Sequence, residues 1–468
     1  MEKNVVRMES ITLSNFKNVV NGTLSFRNPK KKSKANVLGL YGQNGSGKTA
    51  VIQAISLLQH IMHGFQVPDF FADYVNTDAD HAELRFKFSV YNTDVGADFN
   101  AIYQFCIRKK EAEPLSMEKS KKKQYQAEIF NEVLSVSYEN AEAKQKMLPV
   151  IDTSEHSIPF GPKARYEVLI GKDKQDRSTL DTEKAVAAIT SRSFIFSSKF
   201  QTILQKNAQD PYIKYVLGKL SYYGIYCLYV FDSVDSGIIS MGDLPLTFRI
   251  RGDKYNAGGT MALPLDEPTD VREKEFEIIS RVINNMNIVL MQLIPGLTIQ
   301  VKNLGPCLTE ENEKGYRIQL TSKRNGKELP LHYESDGIKK IIAILQLLIV
   351  VFNRESITVA IDELDAGVFE YLLGELLRII SEKGKGQLIF TSHNLRPLET
   401  LDKNYVAFTT TNPSNRYIKL SNVKTNNNLR DFYYRDIILG EQEDPVYEGT
   451  NNYEITLAFR EAGEALGT

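Results

Sequence analysis

Gly42-Gln43-Asn44-Gly45-Ser46-Gly47-Lys48-Thr49 fits the pattern G-x-x-x-x-G-K-[ST] in full. Chemistry of this kind holds phosphate. Glycines let the backbone turn tightly, so that successive N–H groups point at phosphate oxygens. A helix beginning at the end of the loop adds its positive dipole end. Lys48 has the reach to meet β- and γ-phosphates, and the Thr49 hydroxyl suits Mg²⁺. Gly42, Asn44, Gly45, Ser46, Gly47, Lys48 and Thr49 are therefore the expected nucleotide-binding residues. The plainer reading, a chance glycine turn before a helix, has to explain all four fixed positions.

Two further segments end apolar runs in reactive groups. Ile357–Ile361 precedes Asp362-Glu363, and Leu388–Ser392 precedes His393. Asp362 is expected to hold the Mg²⁺ shell, directly or through water, and Glu363 to orient and deprotonate an attacking water. His393 could hydrogen-bond a γ-phosphate and sense its loss. Alone, each reads as an ordinary solvated strand end. A phosphate loop in the same chain reverses that weighting. Between them, Glu334-Ser335-Asp336-Gly337-Ile338-Lys339-Lys340 opens a long apolar run. Ser335 and Gly337 then stand at a helix N-terminus, a second phosphate-binding end or simply an N-cap and a turn.

The elements that must position these groups follow from periodicity. Ser10–Phe16 and Gly22–Phe26 alternate as strands, and Asn36–Tyr41 is a short buried strand before the glycine loop. Ala50–Gly64 has helical spacing. Strands are expected within 82–108, helices over 185–235 and 270–295, and strands near Leu297–Val301 and Tyr316–Ser322. Asn325-Gly326 marks a hairpin turn. Lys48 and Glu363 are expected at the ends of adjacent strands. The polar stretch 109–190, with Lys119–Lys123, reads as an elaborated, partly mobile insertion.

Composition narrows the class. The chain has 468 residues, with Lys+Arg 57 against Asp+Glu 58 and a net charge of -1. That balance gives no bulk signal for a strongly basic nucleic-acid binder, and 42% hydrophobic with 25% charged residues excludes disorder. Cys106, Cys227 and Cys307 lie far apart, without metal-ligand or disulfide spacing, which points to a reducing cytoplasm. No signal peptide is read at the N-terminus. Ile341–Phe352 is too short to span a membrane and reads as a buried helix. Lys30–Lys34 and Lys119–Lys123 are more often solvated loops than nucleic-acid contacts.

The order of GQNGSGKT, ESDGIKK, TVAIDELDA and IFTSHN resembles the ABC-type ATPases of the SMC, RecF and OLD group. Ile11–Asn18 is similar to that group's first strand. The resemblance implies an α/β fold: an ABC-type ATPase head with a mixed central sheet, built from both ends of the chain, with an α+β insertion. The implied division is 1–108, 109–296 and 297–468. It also implies that Ser335–Lys339 form the signature motif, that Asp365 is the D-loop aspartate, and that His393 is the switch histidine. ATP and Mg²⁺ are the implied cofactors, with a homodimer or larger even-numbered homo-oligomer as the working unit.

Within that group the chain is most similar to stand-alone ATPases of bacterial anti-phage operons, of PARIS- or Septu-like type. This implies a sensor or scaffold acting on a separate effector, a nuclease or toxin, with a nucleic acid or phage protein as trigger and no membrane. Two other readings remain: a RecF-like DNA-repair ATPase, and a nucleotide-locked scaffold with negligible turnover. Glu334-Ser335-Asp336-Gly337 departs from the Leu-Ser-Gly-Gly of transporter cassettes. Gln104 and Gln201 are only weak candidates for a Q-loop glutamine. No acidic run like a Toprim nuclease follows His393, and no histidine has the spacing of a HEPN ribonuclease.

Overall fold

The computed structural model describes residues 4–27, 35–92, 97–111, 125–139, 144–154, 157–251, 256–420, 428–440 and 442–465. Both lysine runs, Lys30–Lys34 and Lys119–Lys123, lie outside the described residues.

Short, largely apolar and almost wholly buried runs build a parallel sheet, because strands covered on both faces need no polar alternation. Its order is Tyr417–Ile418, Val406–Thr409, Asn36–Tyr41, Gln387–Thr391, Thr358–Ile361 and Leu228–Phe231. All neighbours pair in parallel except Tyr417–Ile418, so the sheet is mixed, as expected. The helix Lys48–Met62 packs on its strands and against the helix Pro211–Cys227. One expectation is corrected here. The strands leading to Lys48 and Glu363 are not adjacent, since Gln387–Thr391 lies between them. Strand order in a parallel sheet is set by how crossover segments pack, which no local pattern encodes.

A second sheet is antiparallel, in the order Val19–Ser25, Asn4–Phe16, Ala82–Asn92, Ala97–Glu111, Tyr125–Glu139 and Lys144–Asp152. The expected boundary at 108/109 falls inside the strand Ala97–Glu111. Strands from the supposed insertion continue the same sheet. Buried Gln387 clamps the two sheets together. Its side-chain carbonyl accepts from the Met8 amide, and its NH₂ donates to the Met8 carbonyl, each at 2.8 Å.

Elsewhere the strand Leu228–Phe231 interrupts the helices expected over 185–235 and forms the edge of the parallel sheet. A hairpin, Asp243–Arg251 with Asn256–Pro264, was not foreseen; glycines and prolines weaken its alternation. The helix Glu273–Leu293 packs on a smaller sheet containing Leu297–Leu308, Lys314–Arg324 and Lys327–Pro330. Those two elements therefore bridge the expected boundary at 296/297. Asn325 and Gly326 both have positive φ, 50° and 81°, giving the tight hairpin their sequence indicated. Ile341–Phe352 lies within the helix Asp336–Asn353, whose side chains are largely buried. Among the described residues, no helix is long and apolar enough to cross a membrane.

Glu132 fastens the helical region to the antiparallel sheet. Only 3% exposed, it accepts from the Tyr103 hydroxyl and the Phe194 amide, both at 2.7 Å, and from the Ser193 hydroxyl. Burial pushes its carboxyl above the ordinary range, against the pull of those donors. Glu132→Ala would leave several buried donors unpaired, each costing roughly 1–3 kcal/mol. A melting temperature lower by several degrees is expected in a thermal scan; an unchanged value would show that the network does not hold the region in place.

Candidate functional site

The glycine loop joins the strand Asn36–Tyr41 to the helix Lys48–Met62. Its shape depends on glycine at two points. Gly47 is the helix N-cap at φ 90°, in left-handed space that side chains resist. A Cβ on Gly42 would stand 1.8 Å from the Thr409 hydroxyl oxygen. Distant residues brace the loop. The Ser46 hydroxyl bonds that of Thr409, the Tyr417 hydroxyl donates to the Gly47 carbonyl at 2.9 Å, and the Asn18 side-chain Nδ2 donates to the Gly45 carbonyl. Lys48 Nζ donates to the Gly42 and Gln43 carbonyls at 2.8 and 2.9 Å.

A cavity of about 310 Å³ opens over the loop. Asn44, Gly45, Ser46, Gly47, Lys48 and Thr49 line it together with Glu363, Thr391 and His393. The structure thus brings together the phosphate loop, the strand-end glutamate and the histidine. Asp362, 3% exposed, lies beneath. Its Oδ1 accepts from Thr391 Oγ1 at 2.6 Å and from Thr49 Oγ1 at 3.3 Å. The Glu363 amide donates to Thr391 Oγ1 at 2.7 Å. Asp365 does not line the cavity. Its Oδ2 accepts from the His393 and Asn394 amides at 3.1 and 2.9 Å, fixing the histidine's backbone.

Ser335 and Gly337 are not among the lining residues either. Ser335 is the exposed N-cap of the helix Asp336–Asn353, its hydroxyl accepting from the Ile338 amide at 3.4 Å. Gly337 has a packing reason: a Cβ there would meet the Gly367 carbonyl oxygen at 2.0 Å. Gln104 and Gln201 line no part of the cavity, and Gln201 donates to the Ile195 carbonyl.

Lys17 and Asn18 line the cavity and were not singled out from the sequence. They form the turn between the first two strands, with Lys17 at φ 54°. Lys17 Nζ donates to Gln53 Oε1 at 2.6 Å and lies 4.5 Å from the Tyr74 ring centre. The available signal was a Lys-Asn tip between two alternating strands, beside a phosphate loop. Burial lowers the ammonium pKa of both Lys17 and Lys48, and the Asp362 carboxylate opposes this in each.

Thr49 and Asp362 suit Mg²⁺. The ion commonly takes one or two protein oxygens and completes its shell with water and phosphate. Here a buried carboxylate and a hydroxyl meet at 3.3 Å beside the loop. Among the described residues, no group of three or more His, Cys, Asp and Glu side chains forms an all-protein metal cage.

A glycine phosphate loop on a parallel sheet, with a carboxylate pair at the end of a nearby strand, defines a P-loop nucleotide-binding protein. The chain belongs to the AAA ATPase domain family, whose model matches residues 7–396. No curated protein matches it. Among solved structures, it is similar to the SMC head bound to the C-winged helix domain of ScpA, with TM-score 0.43 and 14% identity over 89% of this chain and 98% of that one. It is also similar to the SMC head domain from Thermotoga maritima, with TM-score 0.35 and 12% identity over 89% of this chain and 99% of that one.

Lys17 adds a second cation to the loop. Hydrogen bonds to charged groups contribute about 1.5–3 kcal/mol, so Lys17→Met should weaken nucleotide affinity about tenfold or more. Equilibrium binding of a fluorescent nucleotide measures it, and unchanged affinity would remove Lys17 from the site. Gly337→Ala should shift or destabilise the start of its helix, lowering the melting temperature.

Proposed function

We propose that this chain binds ATP with Mg²⁺ and hydrolyses it to ADP and phosphate between two copies of itself. The observation that carries this reading is that Lys48, Thr49 and exposed Glu363 line one cavity, with buried Asp362 hydrogen-bonded to Thr49. Loop amides and Lys48 bind the phosphates. Thr49 and Asp362 hold Mg²⁺, which offsets the phosphate charge. Glu363 orients a water and takes its proton as the water oxygen bonds to the γ-phosphorus. The bond from that phosphorus to the bridging oxygen breaks, and ADP leaves. His393, which also lines the cavity, hydrogen-bonds the γ-phosphate.

Ser335 and Gly337 lie off this cavity, at an exposed helix N-terminus. That position supports their closing the γ-phosphate site of a second copy, where a fresh set of donors gains most. Asp365 would then lie near the interface. ATP becomes a linker between subunits, and hydrolysis times their opening. In the proposed biology, this cycle controls a separate nuclease or toxin in an anti-phage system, triggered by a nucleic acid or phage protein. The likeness of the motif order to stand-alone defence ATPases supports that role.

Lys48→Ala should abolish ATP binding, and Glu363→Gln should preserve binding while slowing hydrolysis by about 10²-fold or more. Near-normal turnover of purified Glu363→Gln would show that another group activates the water. Mixing inactive Lys48→Ala and Ser335→Arg proteins should restore part of the activity, because one composite site then carries neither lesion. If subunits demonstrably exchange yet crosslinks place Ser335 beside Lys48 of its own chain, the shared-site arrangement is wrong. For the biological role, cells carrying the gene with its flanking genes should resist phage, and Lys48→Ala should abolish resistance. Equal plaque counts with and without the gene cluster count against defence. DNA that stimulates turnover in a salt-dependent way favours the repair reading.

A further inference from the structure

Glu363 has an unusual backbone for a glutamate: φ is 47°, in left-handed space. Such a conformation costs a non-glycine residue of order 1–3 kcal/mol and persists only where its surroundings hold it. The direction of the carboxylate follows from this backbone, so whatever fixes the peptide aims the side chain. On one side the Glu363 amide donates to Thr391 Oγ1. On the other, its carbonyl accepts from the Ala366 amide at 3.0 Å and from Lys340 Nζ at 2.5 Å.

We propose that Lys340 is a positioning residue for Glu363, and that it ties the helix beginning at Ser335 to the hydrolytic carboxylate of the same chain. Lys340 is 5% exposed and belongs to the helix Asp336–Asn353. Its charged donor is stronger than a neutral one and joins the helix to the Glu363 carbonyl. A second contact joins the same two segments, where Gly337 lies against the Gly367 backbone. The helix start and the loop from Glu363 to Gly367 are thus pinned at both ends. Lys339 acts differently: its Nζ pairs with Asp336 of its own helix at 3.1 Å. The facing carboxylates Asp365, Glu363 and Asp362 favour the charged form of Lys340, although burial lowers its pKa. A phosphate seated on Ser335 by a second copy would therefore act on the peptide that aims Glu363.

This inference rests on the hydrolytic role proposed for Glu363, and the test separates the two. Full-length wild type, Lys340→Met, Lys340→Arg, Lys340→Gln, Glu363→Gln and the double variant Lys340→Met/Glu363→Gln are compared for MgATP affinity, kcat, KM and melting temperature. Single-turnover assays read the slow variants. Lys340→Met should lower kcat at least tenfold, with KM and MgATP affinity within threefold of wild type. In the Glu363→Gln background it should cost less than a further twofold, because there is no carboxylate left to aim. An unchanged kcat, or the same tenfold loss in both backgrounds, overturns the proposal. If Lys340→Met does not fold, Lys340→Arg should stay within threefold of wild-type kcat while Lys340→Gln falls, and equal rates for those two overturn it. Wild-type hydrolysis by Glu363→Gln alone would instead defeat the role of Glu363.

Discussion

One hydroxyl organises the edge of the parallel sheet where the candidate site lies. Thr391 ends the strand between those leading to Lys48 and to Glu363. Its Oγ1 donates to Asp362 and accepts from the Glu363 amide. A carboxylate as buried as Asp362 is costly without donors. Thr391 supplies one donor and Thr49, in the first turn of the loop helix, supplies the other. The carboxylate is thereby turned toward the helix N-terminus, where a metal and phosphates would be held. Parallel pairing makes this possible, since the five mutually parallel strands deliver their C-terminal ends to the same edge.

That edge is assembled from distant parts of the chain. The strand before the loop comes from residues 36–41, and its neighbours from 387–391 and 406–409. The loop itself is braced by Thr409 and Tyr417, and the Glu448 amide donates to Gln43 Oε1 at 2.8 Å. Gln387 adds the link to the first strand through both the oxygen and the nitrogen of its side-chain amide. The phosphate loop pattern is local in sequence, but the cradle is held by tertiary contacts. A fragment containing the pattern alone would lack most of what fixes the loop.

This division explains which features were legible beforehand. Gly42–Thr49, the two strand ends and the N-cap Ser335 were readable, because each is a short pattern whose physics is local: a tight turn, a buried run, an orphan amide. Asn325-Gly326 was readable for the same reason. Lys17 and Asn18 were not singled out, because a lysine at a hairpin tip is ordinary until the fold brings it over the loop. The strands Tyr125–Glu139 and Lys144–Asp152 hid in a polar stretch, since a strand of an antiparallel sheet with one solvated face needs apolar residues on the other face only. The placement of Thr391 between the two functional strands was illegible for a different reason. It depends on crossover packing among segments hundreds of residues apart.

The charges around the cavity favour closure from outside. Lys17, Lys48 and Lys340 are all depressed by burial, and carboxylates among Asp362, Glu363 and Asp365 counter that effect. Three ammonium groups and three carboxylates cancel formally. Lys340 is also committed to the Glu363 carbonyl, and Lys17 to Gln53. On the proposed reading, the incoming triphosphate therefore meets a site with little surplus positive charge. Loop amides and the helix dipole supply part of what is missing. The remainder has to come from groups outside this set, and a divalent cation and the helix N-terminus of a second copy both meet that need. Near-neutrality thus gives a physical reason for the proposed arrangement, in which metal, nucleotide and a second subunit complete the site together.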